Sequence, residues 1–250
     1  MFTKYFYLVR HGETILNKEK RRQGSEGKLS ENGVNEVEEL SKRLLNMNID
    51  RMFVSPYERT RQTASIINSH LNLPENKITI TELLAERKNP SIIIGQSYDD
   101  PVAKSFVEIM DKTIHDPDLR LYDEENFADL RDRSIRAQKY LIKNSSAHTL
   151  CITHGIFLKM FLSTLLYGKN LTVKQHAEMN SYNPADNAGV TLVKYEPIKV
   201  FTRPFKKFFR SLLNDEQNKN EEINLPEKDS PWTILAYNDY TRDGFQKMHI

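Results

Sequence analysis

Cysteine is nearly missing from this chain. Cys151 is the only one in 250 residues, so no disulfide can close within it. A reducing compartment fits that count, and the cytoplasm is the expected location. Long apolar runs are missing too. No stretch approaches the roughly 20 apolar residues of a membrane span, and the apolar start, Met1 to Val9, is ended by Arg10, His11 and Glu13. That is too early for the apolar region and cleavage site of a secretory signal. Charge of one sign is also not in excess, since 36 basic residues against 34 acidic ones leave a net +2. No global field draws nucleic acid, none is expected as a partner, and any anion site must be built locally. Finally, no Gly/Ser/Pro-rich linker and no internal repeat divides the sequence. The length suffices for one large core. We read a single domain over 1–250, with insertions at about 87–124 and 197–230; the oligomeric state stays open.

What is present alternates. Phe2 to Val9 is rich in aromatic and β-branched residues and reads as a strand that ends at Gly12. After a polar loop to about Ser30, Val34, Val37, Leu40, Leu44 and Leu45 recur at three- and four-residue spacing, a helix with one buried face. Arg51 to Val54 is a second strand. Ser55-Pro56 is expected to open the next helix, serine as its cap and proline at its first position. Ile78 to Ile80 is a third strand. Arg87 to Glu124 carries Pro90, Gly95, Pro101 and Pro117 without clear alternation, and reads as a cap over the sheet edge with a short helix near Val102 to Ile114. A strong helix follows, striped by Phe127, Leu130, Ala137, Tyr140 and Leu141. Leu150 to Thr153 is a strand, Phe157 to Tyr167 a buried helix, and Val190 to Tyr195 and Trp232 to Tyr237 are late strands. This order predicts an α/β fold, a three-layer sandwich with a largely parallel central sheet flanked by helices.

In open α/β sheets, ligands bind beyond the carboxyl ends of strands. His11 and His154 both sit at such ends, each followed by a glycine that lets the backbone turn and a ligand approach. Arg10 adjoins the first histidine, and Arg59 lies in the helix after the strand ending at Val54. Two arginines and two histidines in one crevice would form an anion site, because a guanidinium fork matches phosphate oxygens two at a time. No Cys/His/Asp cluster completes a tetrahedral set around the histidines, so neither metal nor cofactor is expected.

Longer motifs carry a resemblance. Arg10-His11-Gly12-Glu13-Thr14 with Asn17, Arg21, Gln23 and Gly24 is similar to the signature of the histidine phosphatase superfamily, in its phosphoglycerate-mutase-like branch. The likeness continues through Leu29 to Gly33, Ser55 to Ala64, Leu84-Ala-Glu-Arg87, Asn126 to Leu130, Thr153-His-Gly155 and Asn187 to Thr191, in order along most of the chain. It implies His11 as the phosphorylated nucleophile and Glu86 as proton donor to the leaving oxygen. Arg10, Arg59 and His154 would clamp the phosphate, with Asn17 in the pocket and Gln23 and Gly24 at its mouth. Arg61 is the rival of Arg59, but residues two apart on a helix face different ways, and the family's arginine is four after the serine. His11 should be kept neutral by its arginine neighbours. Glu86 should be protonated when phosphate is bound.

The implied activity is hydrolysis of a phosphorylated small molecule without a metal. Arg87-Lys-Asn-Pro-Ser91 replaces the family's aromatic-glycine step, and the first insertion has no adjacent arginine pair. Both departures favour a phosphatase over a phosphoglycerate-type mutase, the alternative. A phosphoryl-ligand binding protein without turnover is a second alternative, disfavoured by the complete residue set. Arg87, Lys88, Lys104 and Arg120 are available for a second anionic group. In the second insertion, basic residues interleave with Phe201, Phe205, Phe208, Phe209 and Leu212 at helical spacing. We read 201–213 as docking on the chain's own sheet, with membrane contact as the alternative.

Overall fold

The computed structural model describes residues 2–113, 119–182, 185–197 and 231–239. Strands β1 (Lys4–Arg10), β2 (Arg51–Val54), β3 (Ile78–Ile80), β4 (His148–Thr153), β5 (Val190–Tyr195) and β6 (Trp232–Asp239) form one sheet in the order β3-β2-β4-β1-β5-β6. The pairings β3–β2, β2–β4 and β4–β1 are parallel, while β5 runs antiparallel to both β1 and β6. The central strands are apolar without interruption because both faces are covered. Phe6 and Leu8 of β1 turn to one face, Tyr7 and Val9 to the other.

The first face packs against α5 (Phe127–Asn144) and α6 (Gly155–Tyr167), through Phe127, Leu130, Leu141, Phe157 and Phe161. The second packs against α2 (Glu31–Leu44) and α3 (Glu58–Leu71), through Val37, Leu40, Leu44 and Ile67. Three layers result, as the alternation of elements predicts. Between β1 and α2 lies one short helix, α1 (Ile15–Lys18), and α4 (Pro101–Thr113) falls where a short helix was expected near Val102 to Ile114 in the first insertion.

Several local readings change. α3 does not begin at Ser55-Pro56: Tyr57 is its N-cap residue, with no side-chain cap, and the helix starts at Glu58. Ser55 is taken by tertiary contacts instead. A helix absent from the sequence reading, α7 (Val173–Tyr182), follows α6; its few apolar positions gave no stripe. Among the described residues, the cap 91–98 is fixed not to edge strand β3 but to the loop at 20–22. Arg22 N donates to Gln96 O, Gly95 N to Arg22 O and Tyr98 N to Lys20 O, at 2.8–2.9 Å. Most of the second insertion, including 201–213, lies outside the described residues.

The candidate active site

Two close backbone approaches shape the loop after β1. A Cβ at Gly12 would lie 2.5 Å from Gly33 O, and one at Gly33 would lie 2.0 Å from Glu13 O. These glycines let the amino end of α2 press against the chain just past His11. Glu13 belongs to that joint, not to the site: its Oε1 accepts from Ser30 Oγ at 2.6 Å, and Ser30 caps α2.

His11 and His154 leave the ends of neighbouring strands β1 and β4, and their rings meet edge to face with centroids 5.2 Å apart. Arg59 joins them. Its Nε lies 3.1 Å from His11 Nε2 and 3.2 Å from His154 Nδ1, and its Nη1 donates to Gly24 O at 2.7 Å. Arg61, two residues on, is exposed.

The hydrogen bonds assign the tautomers. His11 Nδ1 lies 2.8 Å from Gly12 O, an acceptor, so this nitrogen carries the proton and Nε2 carries the lone pair. His154 Nδ1 accepts from Arg59, so its Nε2–H donates to Ser55 Oγ at 2.7 Å. Both rings are held neutral. Burial pushes the pKa of each well below its ordinary value, and Arg59 and then, for His11, Arg10 push the same way. The arginines were expected to do this for His11; desolvation does more.

Arg10 donates Nη1 to Ala185 O, and its Nε is buried without a partner. Burial lowers its pKa, and brings that of Arg59 down to about 10, so both stay cationic at neutral pH. Among the described residues neither guanidinium forms an ion pair with a carboxylate. A buried cation, Arg59, and a half-buried one, Arg10, without a carboxylate partner favour an anion between them.

Glu86 meets the chain just past His154. Its Oε1 accepts from Arg87 N and Phe157 N, each at 2.9 Å, and its Oε2 from Ile156 N at 3.2 Å. It therefore caps α6, which His154 itself precedes without a side-chain cap, and the helix dipole there favours a negative group. Arg133 fixes the segment: it donates to the carbonyls of Ala85 and Glu86 and forms a two-pronged pair with Glu125 at 2.6 Å. Asn17 spends its Oδ1 on the Thr14 cap of α1. Gln23 Oε1 lies 2.9 Å from Thr14 Oγ1, so Thr14 links these two residues.

Sequence reasoning did not single out Ser55 or Tyr57 for the site. Tyr57 lies between the cationic and aromatic parts, with the Arg59 guanidinium 5.0 Å over its ring and the His154 ring 5.0 Å away. Both fall within the Ser55 to Ala64 motif, which gave neither of them a role. Asn187 likewise sits in the motif Asn187 to Thr191: it donates Nδ2 to His11 O at 3.0 Å. No group of three or more metal-ligating side chains occurs among the described residues. No described helix is long and apolar enough to cross a membrane.

The model of the histidine phosphatase superfamily, branch 1, matches residues 6–203. The chain belongs to this superfamily. Among related proteins, fructose-2,6-bisphosphatase TIGAR B of Danio rerio is 26% identical over 259 residues, covering 89% of this chain and all of that protein. A probable phosphoglycerate mutase GpmB of Yersinia pestis is 28% identical over 162 residues, covering 64% of this chain and 74% of its own. The structure of a mycobacterial glucosyl-3-phosphoglycerate phosphatase superposes with a TM-score of 0.67 at 16% identity, covering 94% of this chain and 99% of the other. That last likeness concerns the histidine phosphatase fold alone.

Proposed function

We propose that this histidine phosphatase superfamily member hydrolyses phosphate monoesters of small molecules through a phosphohistidine on His11, with no metal taking part. The observation that carries the reading is the reach of Arg59 Nε to both imidazoles, at 3.1 and 3.2 Å, in a cluster whose arginines form no ion pair among the described residues. Phosphate oxygens would take the Arg10 and Arg59 donors, and the turn of Arg59 toward them would free the His11 Nε2 lone pair. Nε2 then attacks phosphorus while the bond to the ester oxygen breaks, and Glu86 gives that oxygen its proton. An incoming dianion repels a carboxylate and so favours the neutral acid that this step needs. In the second half, Glu86 takes a proton from water, the water oxygen bonds phosphorus, and His11 leaves. Pre-positioned cationic donors of this kind supply much of the barrier reduction in such chemistry.

The His11→Ala variant should lose turnover of nitrophenyl phosphate while keeping its fold; activity within tenfold of wild type would remove His11 as nucleophile. Glu86→Gln should cost about 10²–10⁴ in rate on alkyl esters and far less on nitrophenyl phosphate, whose leaving group hardly needs a proton. Equal losses on both would remove Glu86 as the acid. The likeness to a probable phosphoglycerate mutase supports a second reading, in which the phosphoryl group returns to an isomerised product. Release of inorganic phosphate separates the two.

A further inference from the structure

The sequence offers Arg87, Lys88, Lys104 and Arg120 for a second anionic group of the substrate. Three of them are already engaged: Lys88 with Asp123 at 3.1 Å, Lys104 with Asp99 at 2.9 Å, and Arg120 with Asp129. A cation outside that set is less well satisfied. Lys159 of α6 is half-buried, and its ammonium makes one long hydrogen bond, 3.5 Å to Asn180 O, with no ion pair among the described residues. Burial lowers its pKa and Arg10 adds to this, while Asp186 and Glu86 act the other way.

Helix geometry places it. Lys159 follows Gly155 by four residues, so the two share one face about 6 Å apart along α6. Gly155 packs against the Arg10 side chain, whose Nε would lie 3.4 Å from a Cβ at that position. The face thus runs from Arg10 past Gly155 to Lys159 and, three residues on, Leu162. There a cavity of about 220 Å³ is lined by Lys159, Leu162, Met179, Asn180, Ile234 and Tyr237, where α6, α7 and β6 meet. Apart from the ammonium, its polar features are few. Asn180 gives its Nδ2 to His176 at 3.0 Å and leaves its Oδ1 buried without a partner.

We propose that this cavity is the leaving-group subsite, shaped for an alcohol that carries an apolar stretch ending in a carboxylate, with Lys159 as the residue that selects the carboxylate. The proposal rests on the hydrolase reading above. One ammonium among apolar walls neutralises a single negative charge. A second phosphate would leave charge unpaired in a poorly solvated place, which is costly. An apolar chain alone would leave the ammonium as it is now, with a single long hydrogen bond. Lys159 touches no reacting atom; it sets specificity.

The test compares kcat/KM for three series of phosphate monoesters of increasing chain length: ω-hydroxyalkanoic acids, the matching n-alkanols, and the matching diols phosphorylated at both ends. At one chain length the carboxylate ester should be preferred to the alkyl ester by about tenfold or more, the range of a charge-assisted hydrogen bond. Lys159→Gln should bring that ratio close to one, and Lys159→Arg should retain most of it. Ile234→Trp, which fills the cavity from the β6 wall, should also erase the preference, so the test stands even if Lys159→Gln does not fold. Equal rates for carboxylate and methyl ends, or a ratio that Lys159→Gln leaves unchanged, would overturn the proposal. Preference for the doubly phosphorylated series would overturn the carboxylate assignment. If no ester releases phosphate, nitrophenyl phosphate included, the hydrolase reading itself fails and this proposal with it.

Discussion

Lowering the pH from 7 to 5 should destabilise this protein, and His176 allows the size of the effect to be worked out. The ring is buried between α6 and α7, with Nδ1 2.9 Å from Ser163 Oγ and Nε2 3.0 Å from Asn180 Nδ2. Burial, then the charges of Arg87 and Lys159, bring its pKa from 6.5 to about 4. The unfolded chain takes up a proton below pH 6.5, whereas the folded chain does so only near 4. Between those values the unfolded state binds more protons, so stability falls as pH falls. At 1.36 kcal/mol per unit of pKa, the loss at pH 5 is about 2 kcal/mol from this one histidine. His11 and His154, whose pKa values are also depressed, act in the same direction. Against a typical stability of about 5–15 kcal/mol, that is a large share. Urea unfolding followed by circular dichroism at pH 7, 6 and 5 measures it, with His176→Gln as the control. The variant's absolute stability is not the readout. Its loss between pH 7 and 5 should be smaller than that of wild type by about 2 kcal/mol, and an identical loss in both proteins would refute the assignment of a neutral, buried His176.

Ser55→Ala should remove the acceptor of the fully buried His154 Nε2–H and cost about 1–3 kcal/mol of stability. Phosphate affinity should fall with it as the ring loses its anchor, as titration calorimetry with inorganic phosphate would report; unchanged binding and stability would mean that Arg59 alone orients His154. Gly33→Ala brings two opposed effects into competition. Helix propensity gains up to about 1 kcal/mol, while a Cβ 2.0 Å from Glu13 O forces the backbone beyond His11 to move. Overpacking of this kind costs about 1–3 kcal/mol or more, so the variant should have a lower melting temperature and reduced turnover. A rise in melting temperature would show that the approach of α2 to the His11 loop is not tight.

Much of the fold could be read from local signals, because those signals are local in origin. The stripe of Val37, Leu40 and Leu44 makes α2 amphipathic whatever surrounds it, and the apolar runs at β1, β2 and β4 require cover on both faces. α7 was missed since its burial comes from α6 and β6, not from a stripe of its own. The opening of α3 was misplaced because Ser55 has two possible uses, helix cap or partner of His154, and the choice lies with a residue 99 positions away.

For the site, the sequence by itself determined which residue types stand at strand ends: His11 and His154 with their glycines, Arg10 beside one and Arg59 a turn into α3. It was the tertiary structure that decided their protonation and their partners. Desolvation is a property of the assembled core, and the proton on His11 Nδ1 is fixed by the way the chain bends to present Gly12 O. Glu86 caps a helix that begins 69 residues later, and Lys159 reaches its cavity through the joint packing of α6, α7 and β6. None of these relations has a periodicity or a spacing, because each is made by chain segments that meet only when the sheet has formed.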